Sequence, residues 1–282
     1  MSIDARQESL YNVRAVIPDN LEIFARWRKR SDDYKVACPG AKLDLRYGPA
    51  DEEVLDFFPA SSTNASLGGP IIMVIHGGYW QAKDKDDNAF CATALNAAGV
   101  GVAVVNYTLC PHTTVHEIVN QMRRASLWLF ANARDLGTDP DRFYVAGHSA
   151  GGHLAAMLMT IDWPTQNMIK GVVAVSGLFD LTALVNTTIN IEVGLSQEDA
   201  VAQSPINHRP TSQGPMVLAV GGDESVGFHD QANWLRKAWE PFGVPITIVA
   251  LPGCHHLSAF EALADGDGDL FRATLSLMSS AP

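Results

Sequence analysis

From residue 70 onward, short apolar runs recur along the chain at 71–75, 102–105, 143–146, 172–175, 216–220 and 246–251, all unbroken but the last, which contains Thr247. An apolar run of this length without alternation marks a strand covered on both faces, as in a parallel sheet. Between the runs lie stretches of helical spacing or loop composition. The longest, 115–136, brings Ile118, Val119, Met122, Ala125, Leu129 and Phe130 to one side of a helix. A shorter helix is expected over 90–98, opened by polar residues 83–88 and ended by Gly99. The pattern before residue 70 differs. Residues 43–47 alternate as a half-buried strand does, Gly48-Pro49 turns the chain, and 54–58 form a second strand. These two read as an antiparallel pair at the N-terminal edge of the sheet, followed by a surface loop over 60–70. Residues 1–35 read as a polar start and a helix with Leu21, Ile23, Phe24 and Trp27 on one face. The basic residues Arg26, Arg28, Lys29 and Arg30 are expected to face solvent rather than to cover a site.

Strands alternating with helices define an α/β fold, a doubly wound and mostly parallel sheet with helices on both faces. No internal repeat or linker divides the chain. The expectation is one domain over 1–282, with 1–35 as an N-terminal helical extension and 178–212 as an irregular insertion near the mouth of a site.

Composition narrows the function classes. The chain is 47% hydrophobic and 18% charged, as an ordinary globular protein is. A net charge of −11 without a basic stripe argues against a nucleic-acid groove. The apolar runs are too short to span a bilayer. The N-terminus lacks the basic-then-apolar order of a signal peptide. Cys38, Cys91, Cys110 and Cys254 are scattered without a C-x-x-C pair. Free thiols and a cytoplasmic location are the simplest account. A homo-oligomer is compatible with the sequence but not specified by it.

The candidate chemistry sits where strands end, as it does in open α/β sheets. Gly147-His148-Ser149-Ala150-Gly151 matches G-x-S-x-G between a buried strand and a helical run. That context makes Ser149 a nucleophile on a sharp elbow, with Gly147 and Gly151 where backbones crowd. A serine hydroxyl needs a base to take its proton. Cys254-His255-His256, after the last strand, supplies two candidates; the cluster lacks the second ligand group that a metal site would need. The residue that orients the base should be a carboxylate after the preceding strand, and Asp223 and Glu224 are adjacent there. His76-Gly77-Gly78 ends the first parallel strand. The backbone N–H groups of Gly77, Gly78 and Tyr79, with that of Ala150, are candidates for an oxyanion hole. Tyr79 and Trp80 are candidates for a pocket wall, or for packing over the sheet. His148 and His153 read as packed side chains rather than second bases. Residues 83–87 read as a solvated helix start, and Asp265-Gly266-Asp267-Gly268-Asp269 fails as a calcium loop because Leu270 and Ser276 stand at its sixth and twelfth positions.

Over roughly residues 40–265 the chain resembles the α/β-hydrolase superfamily, and within it the kynurenine formamidase (arylformamidase) group and small carboxylesterases. The resemblance rests on His76-Gly77-Gly78-Tyr79-Trp80-Gln81, on Gly147 to Leu154, on Asp162-Trp163, on Asn106-Tyr107 ahead of Cys110-Pro111, and on Phe228-His229-Asp230-Gln231. It implies an α/β-hydrolase fold with Ser149 as nucleophile and His256 as base. Counted back from Phe228, the family's acid falls on Glu224, with Asp223 one residue away. The implied activity is acyl transfer from a small aryl formamide or ester through an acyl-enzyme, without metal or cofactor. The rivals are a small-ester carboxylesterase and a non-catalytic binding module on the same fold.

Overall fold

The computed structural model describes residues 2–61 and 68–280. Eight strands form one sheet in the order β1-β2-β4-β3-β5-β6-β7-β8. They are β1 (Lys42–Arg46), β2 (Val54–Phe58), β3 (Gly69–Ile75), β4 (Gly101–Val105), β5 (Thr138–His148), β6 (Gly171–Val175), β7 (Met216–Gly221) and β8 (Ile246–Leu251). β1 and β2 are antiparallel to each other and β2 to β4, whereas every later pairing is parallel. The expected α/β architecture with an antiparallel N-terminal edge is therefore present, and this is the α/β-hydrolase fold. The loop expected over 60–70 lies mainly outside the described residues, and Gly69 and Pro70 already belong to β3.

Both faces of the sheet are covered. Along β3, Ile71, Met73 and Ile75 enter one core with Leu154 and Leu129, while Ile72 and Val74 enter the opposite core with Trp27 and Phe260. This two-residue alternation between two buried faces is why the sequence shows no polar alternation there. Two strands depart from the expectation of burial. β8 exposes Thr247, Ile248 and Ala250, and β1 exposes Lys42, Leu43, Asp44 and Arg46. Both are sheet edges, where one flank has no neighbour and the covering helices end.

The N-terminal segment differs most from the sequence reading. It forms three helices, Ala5–Tyr11, Val13–Val16 and Asn20–Ala37. Ile23 and Trp27 are buried, but Leu21 is 77% exposed, so the apolar face is narrower than the periodicity suggests. The basic cluster faces solvent as expected, and it is ion-paired there. Arg26 and Arg30 meet Glu261, and Arg28 meets Asp32 and Asp86. The stretch 83–87 is not a solvated helix start. Lys85 is buried, with Nζ 2.9 Å from Asp44 and 3.0 Å from Asp56. Among the described residues no helix is long and apolar enough to cross a membrane, and all four cysteines are free.

Candidate active site

Ser149 stands between β5 and the helix Ala150–Leu158, at φ 55° and ψ −117°. For a side-chain-bearing residue this is a strained backbone, the conformation of a nucleophile elbow. The glycines expected to permit it do so. A Cβ on Gly147 would lie 2.1 Å from the Gly151 carbonyl oxygen, and one on Gly151 would lie 2.1 Å from the Ile75 carbonyl oxygen. Ser149 N–H donates to the Val175 carbonyl at 2.8 Å, which ties the elbow to β6.

The two candidate histidines separate cleanly. His255 caps the helix His256–Glu261, its Nδ1 accepting from the N–H groups of Leu257 and Ser258 at 3.2 Å each. His256 is 4% exposed, and its Nδ1 lies 2.6 Å from Glu224 Oε2. An ionised carboxylate only accepts, so Nδ1 carries the proton and Nε2 is left as a base. The adjacent carboxylates separate too. Asp223 is exposed, whereas the Glu224 carboxylate is buried. Glu224 Oε1 also accepts from Ser176 Oγ at 2.5 Å and from Gly221 N–H at 2.7 Å. Burial alone would raise the Glu224 pKa. The charge of His256 and the three hydrogen bonds outweigh it and hold the carboxyl below its ordinary value.

Ser176 was not singled out by sequence reasoning, although one signal was available: it directly follows a buried parallel strand. Phe228 packs on the His256 ring with centroids 4.4 Å apart. Three residues on, the Gln231 side chain accepts from Phe179 N–H and Asp180 N–H and donates to Tyr11 Oη. The F-x-x-Q pattern thus braces the His256 ring with its Phe and ties the N-terminal helix to the segment after β6 with its Gln.

The H-G-G segment runs beside the elbow. A Cβ on Gly77 would fall 2.8 Å from the His148 carbonyl oxygen and 3.1 Å from Ser149 Cβ. Gly78, Tyr79 and Trp80 take φ of 106°, 51° and 59° in succession. Among the described residues no acceptor takes the N–H groups of Gly78 or Tyr79. Ala150, the first helical residue, has no i−4 acceptor within its helix. The segment is held from behind by His76, which stacks on Tyr107 at 4.1 Å and 7°, and by Tyr107 Oη, which donates to the His76 carbonyl at 3.0 Å. Tyr79 borders the cleft and donates from Oη to the Tyr11 carbonyl. The pocket-wall expectation for Trp80 gives way to packing. Its ring is fully buried against His153 at 5.0 Å, away from the cleft.

His148 and His153 are packed, as expected. His148 lies with Nε2 2.9 Å from the His256 carbonyl and its ring stacked on Phe260. Burial, with the neighbouring His256 charge, drives its pKa well below the ordinary value. His153 Nε2 lies 2.7 Å from the Gln203 carbonyl, and burial lowers its pKa to about 4.

Ser149, His256, Gly77, Gly78 and Tyr79 line one cleft. Its volume, counted to its open mouth, is about 510 Å³. The cleft is a slot between the H-G-G segment and the N-terminal helices, whose residues line it. The opposite wall is the N-terminal segment, through Val13, Arg14, Asn20, Phe24 and Trp27. The N-terminal helical extension covers the cleft, because Trp27 packs on Phe90 and Phe260 and so draws its helix over the sheet end. A hydroxyl, a base oriented by a carboxylate and free N–H groups around one slot can carry out acyl transfer.

Known proteins resemble this chain in sequence and in fold. Residues 55–238 match the BD-FAE family model. The kynurenine formamidase of Salmo salar is 32% identical over 248 residues, which span 85% of this chain and 82% of that one. Among solved structures, a Silicibacter protein provisionally named a thioesterase superposes with a TM-score of 0.84 at 30% identity, covering 98% of this chain and 100% of its own. Esterase B of Lactobacillus rhamnosis shares the fold at a TM-score of 0.73 and 19% identity, over 98% and 97% of the two chains. The chain belongs to the BD-FAE family and to the family of the kynurenine formamidases, within the α/β-hydrolases.

Proposed function

We propose that this chain is a serine hydrolase that cleaves an aryl formamide through an acyl-enzyme. Ser149 Oγ attacks the formyl carbonyl as His256 Nε2 takes its proton. The oxyanion is met by the N–H groups of Gly78, Tyr79 and Ala150. His256 returns the proton to the leaving arylamine, then activates the water that releases formate. Glu224 keeps the imidazole in its reactive tautomer and stabilises the imidazolium. Asp223 has no part in the chemistry. The observation that carries the reading is the Glu224–His256 pair, buried and hydrogen-bonded at 2.6 Å, on the same slot as a serine in a strained elbow. The substrate class is supported by the kynurenine formamidase of Salmo salar and by Phe24, Trp27 and Tyr79, whose rings line a slot suited to a flat group. We place the protein in the cytoplasm, where four unpaired thiols persist.

Two measurements test this. A fluorophosphonate probe is expected to label the wild-type protein and not Ser149→Ala; equal labelling of both refutes the serine mechanism. Absence of labelling in the wild type returns the fold to a binding module. Hydrolysis of N-formylkynurenine is then compared with that of p-nitrophenyl acetate. A formamide rate at background beside brisk ester turnover makes the protein a small-ester carboxylesterase.

A further inference from the structure

Two cations reach the slot without a carboxylate partner, in a chain whose net charge is −11. They are Lys83, which follows the H-G-G segment, and Arg14, from the second N-terminal helix. The other two lysines drawn into the protein near this region are fully matched. Lys85 meets Asp44, Asp56 and Asp86, and Lys35 meets Asp56 and Asp86. Lys83 instead places Nζ 2.9 Å from the centroid of the Phe24 ring. A ring face attracts the charge but leaves ammonium N–H groups to find acceptors. Among the described residues none takes them, and none takes the Arg14 guanidinium. The nearby Asp87 carboxylate lies 4.0 Å from Arg28.

Lys83 is also held in an unfavourable backbone, at φ 81°. A side-chain-bearing residue in the left-handed region needs support from its surroundings, and such residues gather at ligand clamps. Burial lowers the Lys83 pKa to about 8, against the opposing pull of Asp87, and the charge of Arg14 lowers it further. Arg14 and Lys83 therefore sit near enough to feel each other. A half-buried cation that repels its neighbour and lacks a counter-ion gains most when an anion arrives.

We propose that Lys83 and Arg14 form an anion-binding edge of the slot that takes a carboxylate on the substrate. The pocket thereby prefers acids over neutral substrates of the same shape. This specificity rests on the serine-hydrolase reading, since the anion is held beside Ser149. The carboxylate accepts from Lys83 Nζ over the Phe24 ring and from the Arg14 guanidinium at the mouth, and the rest of the substrate lies in the slot.

The test separates the subsite from the chemistry by measuring binding to Ser149→Ala, which does not turn over. Calorimetry compares hydrocinnamate with its neutral isostere hydrocinnamamide. The acid is expected to bind about tenfold more tightly than the amide, by a margin that shrinks with added salt. Lys83→Met and Arg14→Gln should each remove much of the margin while leaving the affinity for the amide within about twofold, and Lys83→Arg should keep most of it. In the wild type, hydrocinnamate should slow fluorophosphonate labelling of Ser149. Equal affinity for acid and amide overturns the proposal, as does a margin that survives in the Lys83→Met, Arg14→Gln double variant. Binding that fails to protect Ser149 overturns it too. Labelling of the wild type without ligand reports separately on the serine mechanism.

Discussion

Three donors converge on the Glu224 carboxylate: His256 Nδ1, Ser176 Oγ and the Gly221 backbone N–H. Glu224→Gln keeps the shape but can hold the His256 ring in the wrong tautomer. The expectation is a fall in kcat of about a thousandfold or more, with KM little changed. Asp223→Asn should stay within about twofold of wild type, because its side chain faces solvent. Steady-state kinetics on the preferred substrate checks both. Ser176→Ala takes away a bond that favours the ionised carboxylate. The Glu224 pKa should therefore rise, and the acid limb of the kcat/KM profile should move to higher pH. A profile that keeps its acid limb would mean that Ser176 does not tune the acid. At this scale the serine on its strained elbow was legible in the sequence, because a pentapeptide between a strand and a helix is a local signal. Ser176 was not, because its role depends on β6 and β7 being neighbours.

Among the elements, the elbow and the N-terminal helices set the geometry. The elbow packs without spare room, so Gly151→Ala would drive a methyl group into the Ile75 carbonyl. We expect a loss of about 2 kcal/mol or more, together with slower fluorophosphonate labelling as the elbow shifts. Urea denaturation and labelling kinetics read the two effects. The helix Asn20–Ala37 is anchored by Trp27, which is 3% exposed and packs on Phe24, Phe90, Phe260 and His148. Trp27→Ala should cost about 3–5 kcal/mol by leaving a cavity. It should also open the slot, so KM for a small aryl substrate is expected to rise more than kcat falls. An unchanged KM would show that this helix braces the fold without shaping the site. The strands were legible because a run buried on both faces has no polar positions. The docking of the N-terminal helices was not, because a single helix with a mixed face gives no sign of which surface it covers.

Over the whole molecule, buried histidines couple stability to pH. His153 titrates near 4 when folded, against an ordinary value of 6.5, because burial disfavours its charged form. The unfolded chain thus binds more protons between these values. Stability is complete above pH 6.5 and falls as the solution is acidified toward pH 4, by about 3 kcal/mol from this one residue. His76 and His148 shift in the same direction. Glu224, whose folded pKa is also lowered, adds a loss that begins as the pH falls into the ordinary carboxyl range and continues below it. Urea midpoints at pH 7.5 and pH 5 should differ, with the lower pH less stable, and His153→Gln should narrow the gap. Equal midpoints would mean that these imidazoles are solvated on this pH scale.

Taken alone, the order of residues determined the sheet, its antiparallel edge, the elbow serine and the late histidine. Each depends on spacing along a few adjacent residues or on the ends of apolar runs. The residues themselves left His255 and His256, and Asp223 and Glu224, open; the resemblance favoured His256 and Glu224, and only the tertiary structure shows that these two form a buried pair. Neighbours in sequence differ there only in which way a side chain points, and distant strands set that direction. It also decided that Trp80 belongs to the core and that Arg14 and Lys83 meet at the slot. Trp80 is placed by its packing on His153, whereas the position of Arg14 depends on which surface the first 37 residues cover, set by Trp27 against Phe90 and Phe260.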